Sequence, residues 1–273
     1  MNVEIKQHGP VACITLCRPQ VRNAVDPETA RELYAAFVAF ERDPRAAVAV
    51  LAGDGGHFSA GFDLAAVADG RTASWLEELH FGRDGQPPLG PMGPTRLRLS
   101  KPVIAAVAGA AVAGGMELAL WCDMRVMEES AYMGIYCRRW GVPLVDGGTV
   151  RLPRIVGRGR ALDLVLTGRR VDARECLAIG LCERVVPAGE AATAAHALAS
   201  DLARLPRQCL RADRASLFGA DGHSEQAALE AEFNGGLEAL RTEARTGAAR
   251  FAAGSGRHGA PDAAGSRDAR VLR

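Results

Sequence analysis

What this chain lacks narrows its possibilities before any motif is read. It has almost no net charge, because 33 basic residues face 32 acidic ones and leave +1. No global field therefore steers it toward nucleic acid or an anionic membrane. Lysine is nearly absent, with only Lys6 and Lys101, and the arginine excess reads as codon usage. No apolar run is long enough for a bilayer. The longest, Pro102 to Met116, is short and broken by glycines. The first residues lack the basic-then-apolar order of a secretory signal. The seven cysteines form no CxxC pair, and their odd, scattered distribution fits a reducing cytoplasm better than a disulfide framework. His57, His80, His196, His223 and His258 show no metal-ligand spacing, and no internal repeat is visible. The expectation is a cytoplasmic protein with no nucleic-acid, membrane or metal partner.

What is present is ordinary globular composition. Apolar residues make up 48% and charged residues 24% of 273 positions, enough for one large domain or two small ones. Val3–Lys6, the Gly9-Pro10 turn and Val11–Cys17 read as a hairpin. Asp26 and Pro27 open an amphipathic helix to about Glu41, with Leu33, Ala36, Phe37 and Phe40 at helical spacing. Ala46–Ala52 and Val103–Ala108 read as buried strands. The alternation implies an α/β layer with crossover connections. Between the two strands, Gly82 to Pro94 carries four prolines and four glycines and is expected to be mobile or irregular. Beyond Val186-Pro187 three helices are expected, at Glu190–Leu205, Arg207–Phe218 and Ser224 to about Phe251.

Two glycine-bearing turns carry the chemistry. One is Phe58-Ser-Ala-Gly-Phe-Asp-Leu64. The other is Gly109-Ala-Ala-Val-Ala-Gly-Gly-Met-Glu-Leu118, directly after a buried strand. The second is neither a P-loop, which needs Lys and Ser/Thr after its last glycine, nor a GxGxxG dinucleotide turn. It starts a helix near Gly114, whose first-turn N–H groups sit at the positive end of the helix dipole. Those groups suit an oxyanion or another anionic group. The alternative is that the glycines only let helix and sheet pack closely.

Read together, the motifs resemble the crotonase, or enoyl-CoA hydratase/isomerase, superfamily. Those motifs are Arg18-Pro-Gln-Val-Arg-Asn-Ala-Val25, Phe58–Leu64, Lys101–Val107, Gly114–Asp123, Gly147–Gly157, Leu166–Gly168 and Ala173–Val186, in that order. The resemblance implies an α/β, crotonase-like spiral of ββα units with a C-terminal helical trimerisation region. It implies an acyl-CoA-binding core at 1–189, helices for oligomerisation at 190–253 and a flexible tail at 254–273. The partner expected is an acyl-CoA thioester, the assembly a homotrimer or hexamer, and the cofactor none beyond coenzyme A as part of the substrate. Carried over by motif position, the oxyanion-hole amides fall on Ala60 and Gly114. Asn23, Ala24, Gly61, Phe62, Asp63 and Leu64 fall where the family wraps CoA. Asp63 reads either as a pin for that loop or as a direct contact.

Glu117 lies on the first turn of the helix among apolar neighbours, so its carboxylate is expected to be desolvated and its pKa raised. By itself it also reads as a capping glutamate. By resemblance it is one of the two catalytic glutamates of the hydratases. The other is missing: its place, ten residues before Gly147, is taken by Cys137. Cys137 reads as a small buried residue or as a nucleophile without a visible base. Asp146 stands one position beyond the aspartate used by related isomerases and dehalogenases. It reads either as a substitute acid/base or as an ion-pair partner of a nearby arginine. Seven arginines between Arg151 and Arg174 read as a solvated or ion-paired face. Arg257-His258-Gly259 stands where the family often closes over CoA.

Overall fold

A computed structural model describes residues 1–83 and 85–255. The expected tail, with Arg257-His258-Gly259, lies beyond Ser255 and so falls outside the described residues. The chain divides into two compact units, Met1–Ser200 and the part that starts at Asp201.

The first unit begins with the hairpin β1 (Val3–His8) and β2 (Val11–Leu16). Helix α1 (Pro27–Arg42) follows, its first turn closed by Asp26, which accepts the Thr29 N–H at 2.9 Å. Next come β3 (Val48–Gly53) and the short helices α2 (Leu64–Ala68) and α3 (Ala73–Glu78). The centre holds β4 (Val103–Val107), β5 (Ala110–Val112), α4 (Gly114–Trp121), β6 (Met124–Glu128) and β7 (Tyr132–Gly134). Helices α5 (Gly148–Val156) and α6 (Arg158–Thr167), β8 (Arg170–Asp172), α7 (Ala173–Ala178), β9 (Arg184–Val186) and α8 (Ala191–Leu202) complete it.

A six-stranded sheet runs in the order β1-β2-β3-β4-β6-β9, parallel except for the opening hairpin. A three-stranded sheet runs β5-β7-β8. From β4 to β7 successive strands alternate between the two, so that β4 and β5, then β6 and β7, each lead to a helix. Ser59, bridged to Ala111 of β5, gives β3 the same pattern. This is a spiral of ββα turns. Strands β3 and β4 are buried along most of their length, as apolar strands covered on both faces must be. Lys101 reaches under α1 to the Phe40 and Asp43 carbonyls at 2.6 and 2.7 Å.

Two expectations shift. Helix α8, expected with the C-terminal helices, has Ala191, Ala195, Leu198 and Ala199 buried and lies as far as Ser200 in the first compact unit. The proline- and glycine-rich stretch is irregular, yet its end is packed: Met92 and Thr95 are buried, and Gly90 and Gly93 exchange backbone hydrogen bonds at 2.9 Å.

The second unit is helical, with α9 (Arg207–Gly219), α10 (Glu225–Thr242) and α11 (Ala244–Ala252). The single helix expected from Ser224 to Phe251 is broken at Glu243. That side chain accepts the first-turn amides of Gln208 and Cys209, at 3.1 and 2.9 Å, and so caps α9. No helix among the described residues is long and apolar enough to cross a membrane. No group of three or more His, Cys, Asp or Glu side chains there could hold a metal ion.

Candidate active site

The Ser59–Leu64 turn is built against residues 18–25. Asn23 is fully buried. Its Oδ1 accepts the Arg18 N–H at 2.9 Å, and its Nδ2 donates to the Asp54 and His57 carbonyls at 2.8 and 2.7 Å. Arg18 in turn donates to the Ala24 carbonyl at 2.5 Å and meets both Asp26 and Asp63, at 3.1 and 3.0 Å. Asp63 also caps α2 through the Ala65 N–H at 3.1 Å. The side chains of Asn23 and Asp63 are thus spent on holding the turn, and the buried Ala24 offers little surface. Asn23, expected where the family wraps CoA, uses its side chain to anchor the turn. Leu64, at the start of α2, stays exposed, and Phe62 is half-buried.

The oxyanion assignment needs a second correction. The Ala60 N–H donates to the Arg22 carbonyl at 2.8 Å, so it is not available to a ligand. The Val25 N–H donates to the Gly61 carbonyl and the Asp63 N–H to the Val25 carbonyl, at 2.8 and 2.9 Å. In extended backbone such pairing engages alternate residues. The Phe62 N–H between them has no acceptor among the described residues, and neither has the Gly114 N–H at the start of α4. Gly61 brings these two turns together. Its φ is +91°, and a Cβ there would lie 2.7 Å from the Gly114 nitrogen. Only glycine fits. The pair of free amides is therefore Phe62 and Gly114.

Glu117 lies one turn further along α4 and is almost fully buried. It does not cap its own helix. Its Oε1 accepts the N–H groups of Asp146 and Gly148, at 3.0 and 2.7 Å, across the start of α5. A Cβ on residue 148 would stand 2.9 Å from Oε1, so this approach needs glycine. Oε2 has no hydrogen bond among the described residues. Burial first, and the negative charge of Asp146 second, push the carboxyl up to about 7 against the pull of those two amides.

Asp146 is buried as well, and burial raises its pKa. Its Oδ1 accepts the Met92 N–H at 2.9 Å and the Thr95 hydroxyl. Arg151, expected on a solvated or ion-paired face, is half-buried and donates to the carbonyls of Asp146 and Thr95 at 2.7 and 2.6 Å. Arg169 of that series conforms better, pairing with Asp163 and Glu175. Cys137 is buried in a short 3-10 helix, Tyr136–Trp140. Burial, then the charge of Glu117, raise its thiol pKa, which is the reverse of an activated nucleophile.

Residues 6–252 match the Enoyl-CoA hydratase/isomerase family. The chain belongs to that family, within the crotonase superfamily. Among its relatives is an enoyl-CoA hydratase of Mycobacterium tuberculosis, 33% identical over 256 residues, 91% of this chain and 92% of the relative. A carnitinyl-CoA dehydratase of Salmonella paratyphi A is 38% identical over 203 residues, 74% of each chain. A probable enoyl-CoA hydratase/isomerase from Mycobacterium abscessus superposes with a TM-score of 0.83 at 32% identity, covering 93% of this chain and 96% of the other. The protein is a hydratase/isomerase-like enzyme that processes acyl-CoA.

Within this candidate site, the sequence motifs led to Gly114, Glu117 and Asp146, and to Phe62 as a residue beside CoA but not as an amide donor; they did not lead to Met92, Thr95 or Arg151 as parts of the site. The Phe62 amide had no signal in the sequence, because which N–H is left free depends on the pairing with residues 22–25. Met92 and Thr95 had none, lying in a stretch whose prolines and glycines mask its packing.

Proposed function

We propose that the protein activates an acyl-CoA thioester through its enolate, with the Phe62 and Gly114 amides on the thioester oxygen and Glu117 moving the proton. The observation that carries this is Glu117. It is a buried carboxyl poised at about 7, with Oε2 unengaged, on the helix whose first amide is free. Near neutral pH both protonation states are populated, as a group that must both take and return a proton requires. When Oε2 removes a proton from the α carbon, the electron pair moves into the thioester, and negative charge collects on its oxygen. Fixed N–H donors then stabilise that charge, each worth about 3–4 kcal/mol of barrier. Coenzyme A enters as part of the substrate, and no metal or redox group takes part in this scheme.

Two relatives are named for hydration and dehydration, and water addition or removal beside a thioester suits this chemistry. A second reading rests on Cys137. A thiol with a raised pKa replaces the second acid, so one carboxyl does the work that hydration divides between two. Double-bond isomerisation, thioester hydrolysis and decarboxylation need less of a second acid, and a catalytically poor CoA-ester-binding protein needs none. We propose a closed trimer or hexamer on the exposed apolar residues of α9 to α11, and a cytoplasmic location on the scattered cysteines. The test is a panel: hydration of crotonyl-CoA, release of free CoA, and exchange of the α-protons of butyryl-CoA into D2O. Exchange abolished by Glu117→Gln supports the enolate reading. Absence of exchange and of turnover with every thioester overturns it.

A further inference from the structure

One residue touches both halves of this site. The backbone N–H of Asp146 donates to Glu117 Oε1, at 3.0 Å. Its Oδ1 accepts the Met92 N–H and the Thr95 hydroxyl. Its carbonyl accepts Arg151 Nη1, while Nη2 of the same guanidinium holds the Thr95 carbonyl. Met92 in turn lies against the oxyanion turn: a Cβ on Gly114 would stand 2.8 Å from the Met92 sulfur. The space is closed from behind as well, since a Cβ on Gly90 would meet the Thr95 hydroxyl and come within 3.2 Å of Asp146 Oδ1. A buried ring of hydrogen bonds therefore ties the turn that covers Gly114 to the turn that clamps Glu117.

We propose that Asp146 is the positioning residue of this enzyme, not its second acid, and that with Thr95 and Arg151 it sets both the placement of Glu117 and the cover over the Gly114 amide. The proposal rests on the enolate reading for what is positioned, and on the hydrogen-bond ring for how. Backbone N–H, carbonyl and Oδ1 of Asp146 are all engaged within the protein, which is the pattern of a brace. The ionisable groups around Glu117 are Asp146, Arg151 and Cys137, and those around Asp146 are Arg96 and Arg151 together with Glu117. Asp146 is the one acidic neighbour among those facing Glu117. Replacing it with asparagine keeps an oxygen for Met92 and Thr95 but removes the charge, so Glu117 should ionise at lower pH.

The test reads Glu117 directly, by the pH dependence of its carboxyl band in difference infrared spectra, with Glu117→Gln to identify the band. This needs no turnover, so it stands apart from the test of the enolate reading. In the wild type the midpoint should lie near 7, and in Asp146→Asn it should move to lower pH. Exchange of butyryl-CoA α-protons should fall about tenfold in that variant with KM within about twofold, the size expected when a reacting group is held slightly out of place. Thr95→Val, which keeps the volume but removes the hydroxyl, should lower the exchange rate likewise, and Thr95→Ser should restore it. Two results overturn the proposal. One is an unmoved Glu117 midpoint in Asp146→Asn. The other is a loss of exchange in that variant as complete as in Glu117→Gln, which would make Asp146 a proton carrier. If Asp146→Asn does not fold, the Thr95 pair decides: equal rates for valine and serine also overturn it.

Discussion

The two units of this chain handle their chemistry in opposite ways. In Met1–Ser200 the buried polar groups around the site are matched: Asn23, Asp63, Glu117, Asp146 and Arg151 each have named partners inside the unit. Both units expose some apolar side chains, Phe81 and Trp140 in the first among them, but in the helices after Asp201 exposed apolar groups far outnumber buried ones. Leu217 is 79% exposed, Phe233 63% and Leu240 59%, and α9 and α11 contain no buried residue. Alpha-helices α9 to α11 line an apolar cleft of about 530 Å³ between Leu229, Phe233, Leu240 and their neighbours. A self-satisfied unit can hold reacting groups in fixed geometry. A unit with this much unburied apolar surface suits the closed assembly proposed above.

That contrast can be broken from either side. The largest expected effect is on the first unit. Glu117→Gln should lower turnover by about 10²–10⁴-fold while CoA-ester affinity and assembly state stay close to wild type; kinetics and light scattering check both. Gly114→Pro should cost about 10²–10³-fold by removing one amide donor and disturbing the start of α4. Wild-type turnover and affinity in that variant would show the oxyanion assignment to be wrong. On the second unit, Phe233→Asp should shift a trimer or hexamer toward smaller species in light scattering. A wild-type protein that is a monodisperse monomer at micromolar concentration would remove the contrast altogether. Cys137→Glu sharpens the comparison within the site: crotonyl-CoA hydration should rise if the pocket is otherwise shaped for it.

The smallest effect is thermodynamic. The Glu117 carboxyl has a folded pKa of about 7 against an ordinary value of 4.5. A raised carboxyl pKa means that the folded state binds the proton more tightly. The stability it confers is therefore complete below about 4.5 and is lost as pH rises through about 7. Glu117→Gln should match the wild type at pH 4 and exceed it above pH 7, by a margin on the order of 3 kcal/mol. Denaturant titrations at the two pH values read this, and equal stability at both would show that Glu117 is not strained by ionisation.

Much of the first unit was legible from pattern. Asp26-Pro27 marked the start of α1 because capping is local chemistry, and the apolar runs at 46–52 and 103–108 marked β3 and β4 because a strand covered on both faces has no polar alternation to obscure it. Glu117 was legible as a desolvated carboxylate on the first turn of an apolar helix, but its candidate role came from the family resemblance, since by pattern alone it also reads as a helix cap. The choice between Ala60 and Phe62 was not, since it depends on which amides the segment 22–25 consumes, and that pairing is made across a long stretch of chain. Nor was Arg151 distinguishable from its six arginine neighbours, because its burial follows from where Thr95 lies. The break at Glu243 was hidden for the same reason: a glutamate that caps another helix looks like any other helical glutamate until that helix is beside it.

The alternation of strands between two sheets also has a consequence for how the chain comes to be folded. Each parallel pairing of the large sheet joins residues a whole crossover apart: Val11 to Val48, Ala49 to Val103, Ile104 to Met124, Val126 to Arg184. Pairings of that kind must meet the entropy of closing long loops before they gain contacts, which makes them slow. Helices α9 and α10 are joined by a short connection and need no such closure. In a refolding time course, helical signal should therefore precede the burial of Trp121, on the same helix as Glu117. When a complete chain refolds, this leaves an interval in which the helices with exposed apolar residues exist and the spiral does not, so the risk of aggregation during refolding falls on α9 to α11.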